Sequence, residues 1–339
     1  MRVVVVGATG NLGTAVLRRL RSSSEVAEVV GVARRLPDRS AVPYADATWH
    51  SIDVAATAAP ERLAAVFAGA DAVIHLACAL QSNRDLSRLW RTNVGGTSAV
   101  LAAVAAAGVP QLVVASSVGA YSSGPKKRRV DETWPTGGIH TSHYSREKAA
   151  NERAFDEFEA KHPGTILTRI RPGLIFQESA GAEVAGLFLG HLIPTGWIGR
   201  LRLPVVPLPA QLIFQAVDAD DVADAFYRAI DRRAGGAFNI AGEPVITPEL
   251  IGQAINAARV QPMKLAALRA VVSATWRLGL QPTDPGWIDI ASQVPVMSTQ
   301  KARDVLGWAP ATSSTDAFDA IIRGVAAGSN VDASSPLRG

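Results

Sequence analysis

Tyr144 and Lys148 stand four apart in this 339-residue chain, in the run Tyr-Ser-Arg-Glu-Lys. On a helix that spacing puts both side chains on one face. An ammonium beside a phenol favours phenolate and draws its pKa from about 10 toward working pH. A phenol tuned in this way can give a proton to a carbonyl or take one from an alcohol. A second chemical group is Gly7-Ala-Thr-Gly10-Asn-Leu-Gly13. Gly7 allows a tight turn, and Gly10 lets a pyrophosphate approach the backbone. Gly13 lets a helix pack closely, with its N-terminal N–H groups aimed at the phosphates. Thr9, Asn11 and Leu12 complete the loop and are expected at the cofactor with the three glycines. The next strand ends Ala33-Arg34-Arg35, with no carboxylate where a ribose 2′-hydroxyl would be held. Guanidinium is the bidentate partner of phosphate, so Arg34 and Arg35 point to NADP(H), with NAD(H) the alternative.

The elements that would carry these groups alternate between strand and helix. Residues 3–6, all valine, read as a strand buried on both faces of a parallel sheet. A helical period follows through Ala15, Val16, Leu17 and Leu20. Strands are predicted over 26–33, 48–52, 72–76, 112–115 and 165–170. Helices are predicted over 60–67, over 86–107 in one or two pieces, and over 142–161. Such alternation predicts an α/β fold, an open, doubly wound parallel sheet. After Pro172 the pattern loosens into apolar segments rich in Pro and Gly.

Composition sets the limits. Hydrophobic residues are 48% and charged residues 19%, enough for a core and against disorder. The length fits one large domain or two intimate ones. Net charge is +4, and the arginines are scattered among acids, so no nucleic-acid partner is expected. The run Lys126-Lys127-Arg128-Arg129 lies among Gly and Pro and reads as a solvated loop. The single cysteine, Cys78, excludes internal disulfides and a multi-cysteine zinc site, and reads as a small core residue. The uncharged stretch 92–125 is interrupted by Gly95-Gly96, Gly108, Pro110 and Ser116-Ser117, so it supplies no membrane span. Met1-Arg2 runs directly into the valines, so no signal peptide is expected. A cytoplasmic protein without a membrane partner is expected, a monomer or homodimer acting on a small molecule. His140 and His143 lack further ligands nearby, so they read as a pair at a pocket mouth and no metal is expected. Asp220 and Asp221 do not face each other and read as the cap of a helix starting near Val222.

Taken in order, these segments resemble the extended branch of the short-chain dehydrogenase/reductase superfamily, the epimerase/dehydratase-like reductases. The resemblance spans about residues 1 to 325. Gly7, Gly10 and Gly13 match the dinucleotide fingerprint, and the fold implied is the Rossmann fold. Asp53-Val54 resembles the position at the adenine, and Asp71-Ala-Val-Ile-His75-Leu76-Ala77 the strand lining the cofactor. Asn93-Val-Gly-Gly-Thr97 resembles the helix behind the active site, which makes Asn93 a possible proton relay. Val114-Ala-Ser116-Ser117-Val-Gly-Ala-Tyr121 matches the strand end with the catalytic serine, and the usual position is Ser117. Arg171-Pro172-Gly173 resembles the turn at the nicotinamide, placing Pro172 and Ile175 there with Leu76 and Ala77. Asp220-Asp221-Val-Ala223, Phe238-Asn239-Ile and Leu306-Gly307-Trp308 resemble later landmarks.

The resemblance implies that Ser117 bonds the substrate oxygen and that Tyr144 transfers the proton. Lys148 would tune Tyr144 and hold the nicotinamide ribose. Departures narrow the substrate. Some nucleotide-sugar dehydratases carry Asp-Glu after this serine or threonine, whereas Val118-Gly119-Ala120 cannot do acid/base work, so a dehydratase of that type is not expected. Epimerases using a Cys/Lys pair are excluded, because Cys78 is on the cofactor side. A 4-epimerase with tightly held NAD conflicts with Ala33-Arg34. The C-terminal part supplies Phe188, Leu189, Trp197, Ile213, Phe214, Trp276 and Trp287, which favours a bulky, partly apolar substrate. Leu80, Val118, Gly119, His140 and Trp197 are the pocket candidates. The expected architecture is a Rossmann core from 1–170 and 211–242 and a smaller C-terminal substrate lobe from 171–210 and 243–325. A disordered tail is expected over 326–339. The leading expectation is NADP(H)-dependent reduction of a ketone, or oxidation of a secondary alcohol, in specialised metabolism. The alternatives are a nucleotide-sugar epimerase with bound NAD and a non-catalytic NAD(P)-sensing regulator. Such a sensor would be expected to lose the tyrosine or the lysine, and both are present.

Overall fold

The computed structural model describes residues 1–80, 84–189 and 195–331, apart from the side chain of Trp197. The valine run forms β1 (Arg2–Val6), and the glycine turn leads into α1 (Asn11–Arg21). Then come β2 (Glu28–Ala33), β3 (Thr48–Ser51), α2 (Ala59–Phe67) and β4 (Ala72–His75). The predicted helical stretch 86–107 is α3 (Leu86–Trp90) and α4 (Gly96–Ala107), joined by a π-helical turn at Arg91–Gly95. Gly108 ends it in the left-handed conformation, as a C-terminal glycine should. The sequence continues through β5 (Gln111–Ala115), β6 (Arg129–Val130), α5 (His143–Lys161) and β7 (Ile166–Pro172).

Seven parallel strands make one sheet in the order β11-β7-β5-β4-β1-β2-β3, where β11 is Gly236–Ile240. Side chains alternate across β1, so Val3 and Val5 enter one core and Val4 and Val6 the other. The first core is closed by α1 and by α7 (Ala219–Asp231), the second by α2, α4 and α5. Full burial of each valine contributes about 1.5–3 kcal/mol. The switch between the β1-β2-β3 and β4-β5-β7 halves opens a crevice at the C-terminal ends of the strands, where α/β sheets bind ligands.

The smaller lobe uses short pieces: β8 (Leu174–Phe176) with β10 (Ala216–Asp218), and β9 (Val206–Leu208) with β12 (Val260–Pro262). It also holds α6 (Gly181–Phe188), α8 (Pro248–Ala254), α9 (Leu265–Arg277) and α10 (Pro285–Gln293). β13 (Val296–Met297) pairs with β6. After it, α11 (Gln300–Leu306) and Trp308 join the first core rather than the lobe. The Trp308 indole N–H donates to the Asp221 carbonyl at 2.8 Å.

Several expectations shift in detail. The helix expected near Val222 starts at Ala219 and is capped by Asp218. Asp221 instead accepts the N–H groups of Ala311 and Thr312 at 2.8 and 3.0 Å, fixing the returning chain. The basic run is no mere solvated loop. Lys126 donates to the carbonyls of Ile213 and Ala291 at 2.7 and 2.8 Å, and burial lowers its pKa to about 7. The last helix, α12 (Ser314–Ala327), packs on α6, and Val331 still meets the first core. Of the segment 326–339, residues 326–327 close α12, Val331 packs on the first core, and 332–339 lie outside the described residues.

Candidate active site

Two adjacent serines follow β5, and their surroundings separate them. Ser116 donates to Glu152 at 2.6 Å inside the protein. Ser117 has its Oγ beside Tyr144, where it accepts the Gly119 N–H at 3.0 Å. That leaves the Ser117 hydroxyl proton for another acceptor. Ser142 caps α5 through the Ser145 N–H, which sets the register that brings Tyr144 and Lys148 to the sheet. Lys148 is 6% exposed, donates to the Ala115 carbonyl at 2.8 Å, and lies 5.7 Å from the Tyr144 ring centre. Two of its three ammonium protons are available to other partners.

The expected lowering of the Tyr144 pKa is reversed. Burial raises it, and the opposing pull of Lys148 and of the Ser117 hydroxyl does not restore it. A phenol here holds its proton, as a proton donor to a carbonyl must. For Lys148, burial pulls downward, but Cys78, Tyr144, Glu147 and Glu152 together raise its pKa, so it is an ammonium.

Behind the pair lies a polar network. Asn93 accepts the Ala79 N–H at 2.7 Å and donates to the Ala79 carbonyl at 2.8 Å and to Glu147 at 2.7 Å. Its side chain thus clamps the segment after β4 and links it to Glu147. Its carbonyl, released by the π-helical turn, accepts from Thr97 and from Asn151. Thr97 spends its proton there, so His75 Nε2, 3.0 Å away, is the donor between them. Burial, with Lys148 adding to it, lowers the His75 pKa to about 3. Glu147 is buried between His143 and Lys148, and burial raises its pKa. Deeper still, Arg171 grips Glu152 with two bonds of 2.8 Å and reaches the Tyr121 hydroxyl at 3.0 Å. Arg171 is therefore a structural anchor of the strand, and the turn it precedes is carried by Pro172 and Gly173.

The glycine loop fits a dinucleotide. Gly7 has φ +88°, and a Cβ there would lie 2.6 Å from the Ala77 N, so the loop can rest on the end of β4 only as glycine. A Cβ on Gly13 would lie 2.4 Å from the Gly7 carbonyl. A Cβ on Gly10 would meet nothing closer than 3.5 Å, so its open side is free for a ligand. No side chain caps α1, whose N-terminal N–H groups face this loop. Thr9 and Leu12 lie in the same turn, and Asn11 donates to Glu183 of α6. Leu76 and Ala77 line the floor beside Gly7. Pro172 and Ile175 flank the crevice from β7 and β8. Arg34 is exposed just past the end of β2, and Arg35 is half-buried. Asp53 accepts the Ala55 N–H at 2.9 Å, while Val54 is buried against Gly96.

On the lobe side of the pair, Trp287 of α10 stacks on Tyr144, with centroids 5.1 Å apart and planes at 29°. Phe188 lies roughly perpendicular to the same indole, with centroids 5.3 Å apart and planes at 82°. Val118 belongs to the small core beneath these rings, and Leu80 is half-buried. Gly119 makes room for Tyr144, since a Cβ there would lie 3.0 Å from the ring. The two histidines do not pair. His140 is exposed, and His143 is buried, 3.3 Å from Asp284. Trp197 belongs to a 3₁₀ turn, Thr195–Trp197, and its side chain lies outside the described residues. Cys78 is not a core residue. Its side chain is exposed to the cleft, although the protein around it is dense enough to push its thiol pKa up. Among the described residues no group of three or more His, Cys, Asp or Glu could hold a metal, and no helix is long and apolar enough to cross a membrane.

Sequence reasoning counted Trp287 only among the apolar residues of the C-terminal part, with no place beside Tyr144, and gave no role to Glu147 or Glu152. Trp287 had a usable signal, because Asp284-Pro285 is a helix start that puts the indole on a first turn. The glutamates share a face of α5 with Tyr144 and Lys148, three to eight residues on, but an acidic helix face reads by default as solvated.

The sequence model of the NAD dependent epimerase/dehydratase family matches residues 3–241. The structure is similar to a UDP-glucose 4-epimerase of Thermotoga maritima solved with UDP-glucose. The TM-score is 0.70 at 19% identity, over 96% of this chain and 98% of that one. It is also similar to a dTDP-glucose 4,6-dehydratase of Streptomyces venezuelae with NAD bound, with a TM-score of 0.69 at 20% identity and 96% of each chain covered. At these identities the likeness is one of fold. Among curated proteins, a hybrid PKS-NRPS synthetase of Penicillium oxalicum is 34% identical over 105 residues. That stretch is 30% of this chain and 2% of the synthetase.

Proposed function

The chain belongs to the NAD dependent epimerase/dehydratase family, and on that premise we propose that it is an NADP(H)-dependent oxidoreductase. It interconverts a ketone and a secondary alcohol on a bulky, partly apolar small molecule. The observation that carries this reading is the juxtaposition of Ser117, Tyr144 and Lys148, with no acid or base at Val118, Gly119 or Ala120. A site so equipped can move one proton at one oxygen. It lacks the extra carboxylate that an elimination beside that serine requires.

A reduced nicotinamide cofactor held by the glycine loop and Lys148 would supply a hydride to the carbonyl carbon. The chain's own residues manage the oxygen. Ser117, already accepting from Gly119, donates its hydroxyl proton in a hydrogen bond to that oxygen. As the C–O π bond breaks, Tyr144 gives its phenolic proton to the same atom. Lys148 stabilises the phenolate left behind, and solvent returns the proton. In the alcohol-to-ketone direction each step reverses. Arg34 supplies charge-assisted hydrogen bonds for a 2′-phosphate, and Ala33 offers no carboxylate to repel it.

The test is net cofactor turnover. The purified protein is mixed with NADPH and a panel of ketones, and separately with UDP-glucose and either oxidised cofactor. The expected result is one NADP⁺ and one secondary alcohol formed per ketone consumed. Epimerisation of UDP-glucose with no net change in cofactor, and no ketone reduced, would instead assign the chain to nucleotide-sugar epimerisation.

A further inference from the structure

Trp287 is held more firmly than a surface tryptophan needs to be. Pro285 opens α10, and Asp284 caps it by accepting the Gly286 N–H at 2.8 Å. The other Asp284 oxygen lies 3.3 Å from His143 Nδ1, the first residue of α5. Gly286 sits where a Cβ would come 2.9 Å from Ser142 Cα, so the starts of the two helices are pressed together. On the far side Thr283 donates to the Phe188 carbonyl at 2.7 Å, tying α6 to the same corner. The indole is thus fixed by α5, α6 and α10, with Tyr144 stacked on it and the Phe188 and His143 rings roughly perpendicular to it at 5.3 and 6.2 Å. Even so it is only half-buried. Fixed aromatic surface next to a proton donor binds a flat ring at low cost in conformational freedom.

We propose that Trp287, backed by Phe188, is the subsite for a planar aromatic ring next to the reacting carbonyl. The substrate class is then an aryl or otherwise conjugated ketone and its alcohol. This inference rests on the oxidoreductase reading above. A saturated ring of the same size fills similar space but lacks the π face, and an aromatic pair contributes more than its buried area. The selectivity expected from that difference is about three- to tenfold.

The experiment measures binding apart from turnover. Protein saturated with NADP⁺, which cannot reduce a ketone, is titrated calorimetrically with an aryl methyl ketone and with cyclohexyl methyl ketone. The same titrations are run on Trp287→Leu and Trp287→Phe. The expected result is tighter aryl binding by about three- to tenfold, lost in Trp287→Leu and largely kept in Trp287→Phe. Equal binding of the two ketones, no binding of either, or a preference that survives in Trp287→Leu overturns the subsite. Steady-state kinetics with NADPH separate the roles. Loss of the platform changes the ratio of the two KM values, whereas mere loosening of Tyr144 lowers kcat equally for both ketones. Selective binding without NADPH consumption would keep the subsite and reject the redox reading. Consumption with no selectivity would do the opposite.

Discussion

The hydroxyl of Ser116 donates to Glu152 at 2.6 Å, and that bond turns Ser116 into the protein and leaves Ser117 at the phenol. Glu152 is held ionised despite its burial, because Arg171 binds it directly. Ser116→Ala should therefore cost about 1.5–3 kcal/mol of stability, the worth of a hydrogen bond to a charged group, with kcat nearly unchanged. Ser117→Ala removes the acceptor of the Gly119 N–H, so it should cost about 1 kcal/mol of stability and lower kcat by at least about tenfold. Denaturant titration and steady-state kinetics on both variants check the pair. The reverse pattern would exchange the two roles.

Gly119 accommodates the ring edge of Tyr144. In Gly119→Ala the new methyl would lie 3.0 and 3.3 Å from two ring carbons and 3.4 Å from the Ser117 Oγ. The ring must move by a few tenths of an ångström. Misplacement on the scale of 1 Å costs about a hundredfold, so a fall in kcat of roughly tenfold is expected with the melting temperature little changed. Unaltered kcat would mean that the ring has more freedom than its contacts imply.

Much of this is legible in the amino-acid sequence. The strands β1, β2, β4 and β5 are short runs of β-branched and apolar residues, and a buried parallel strand has little choice but to look like that. The glycine loop was equally plain, because each glycine answers a separate steric demand. What pattern reading did not give is the buried charge. Arg169 and Arg171 sit in β7 at 6% and 4% exposure, paired with glutamates on α5. Hydrophobic periodicity assigns charge to the surface, so a buried ion network is outside its reach. Trp287 against Tyr144 was unreadable for another reason: the two are far apart in sequence, and only the folded lobe brings them together. Cys78 misled because small and apolar suggests core, whereas its place at a strand end opens it to the cleft.

His75 gives the acid limb a slope. Its pKa is about 3 in the folded protein, against about 6.5 in an unfolded chain. The unfolded state thus binds one more proton between those values. The stability this contributes is complete above about pH 6.5 and is lost as pH falls toward 3. His75→Gln can still donate to Thr97 but does not titrate. Denaturant titrations at pH 6 and pH 5 should show wild type losing about 1 kcal/mol more than the variant across that unit. Parallel losses would mean that His75 is protonated without difficulty in the fold.

Cofactor choice turns on the tip of β2. Charged hydrogen bonds contribute about 1.5–3 kcal/mol each, so NADPH should bind one to two orders of magnitude more tightly than NADH at one fixed salt concentration. The double change Ala33→Asp with Arg34→Ala should abolish or reverse that preference. Equal dissociation constants in the unmodified protein would make both arginines ordinary surface charges.

The proton carried by Tyr144 is the centre of the proposed chemistry, and Tyr144→Phe removes it while keeping the ring that packs on Trp287 and Gly119. The decisive measurement is the single-turnover rate of NADPH oxidation by an aryl methyl ketone, for wild type and this variant, with the NADPH dissociation constant of each. We expect the rate to fall by about 10²–10⁴ with cofactor binding unchanged. A Tyr144→Phe protein that reduces the ketone at the wild-type rate would mean that the proton comes from elsewhere and that the site has been misassigned.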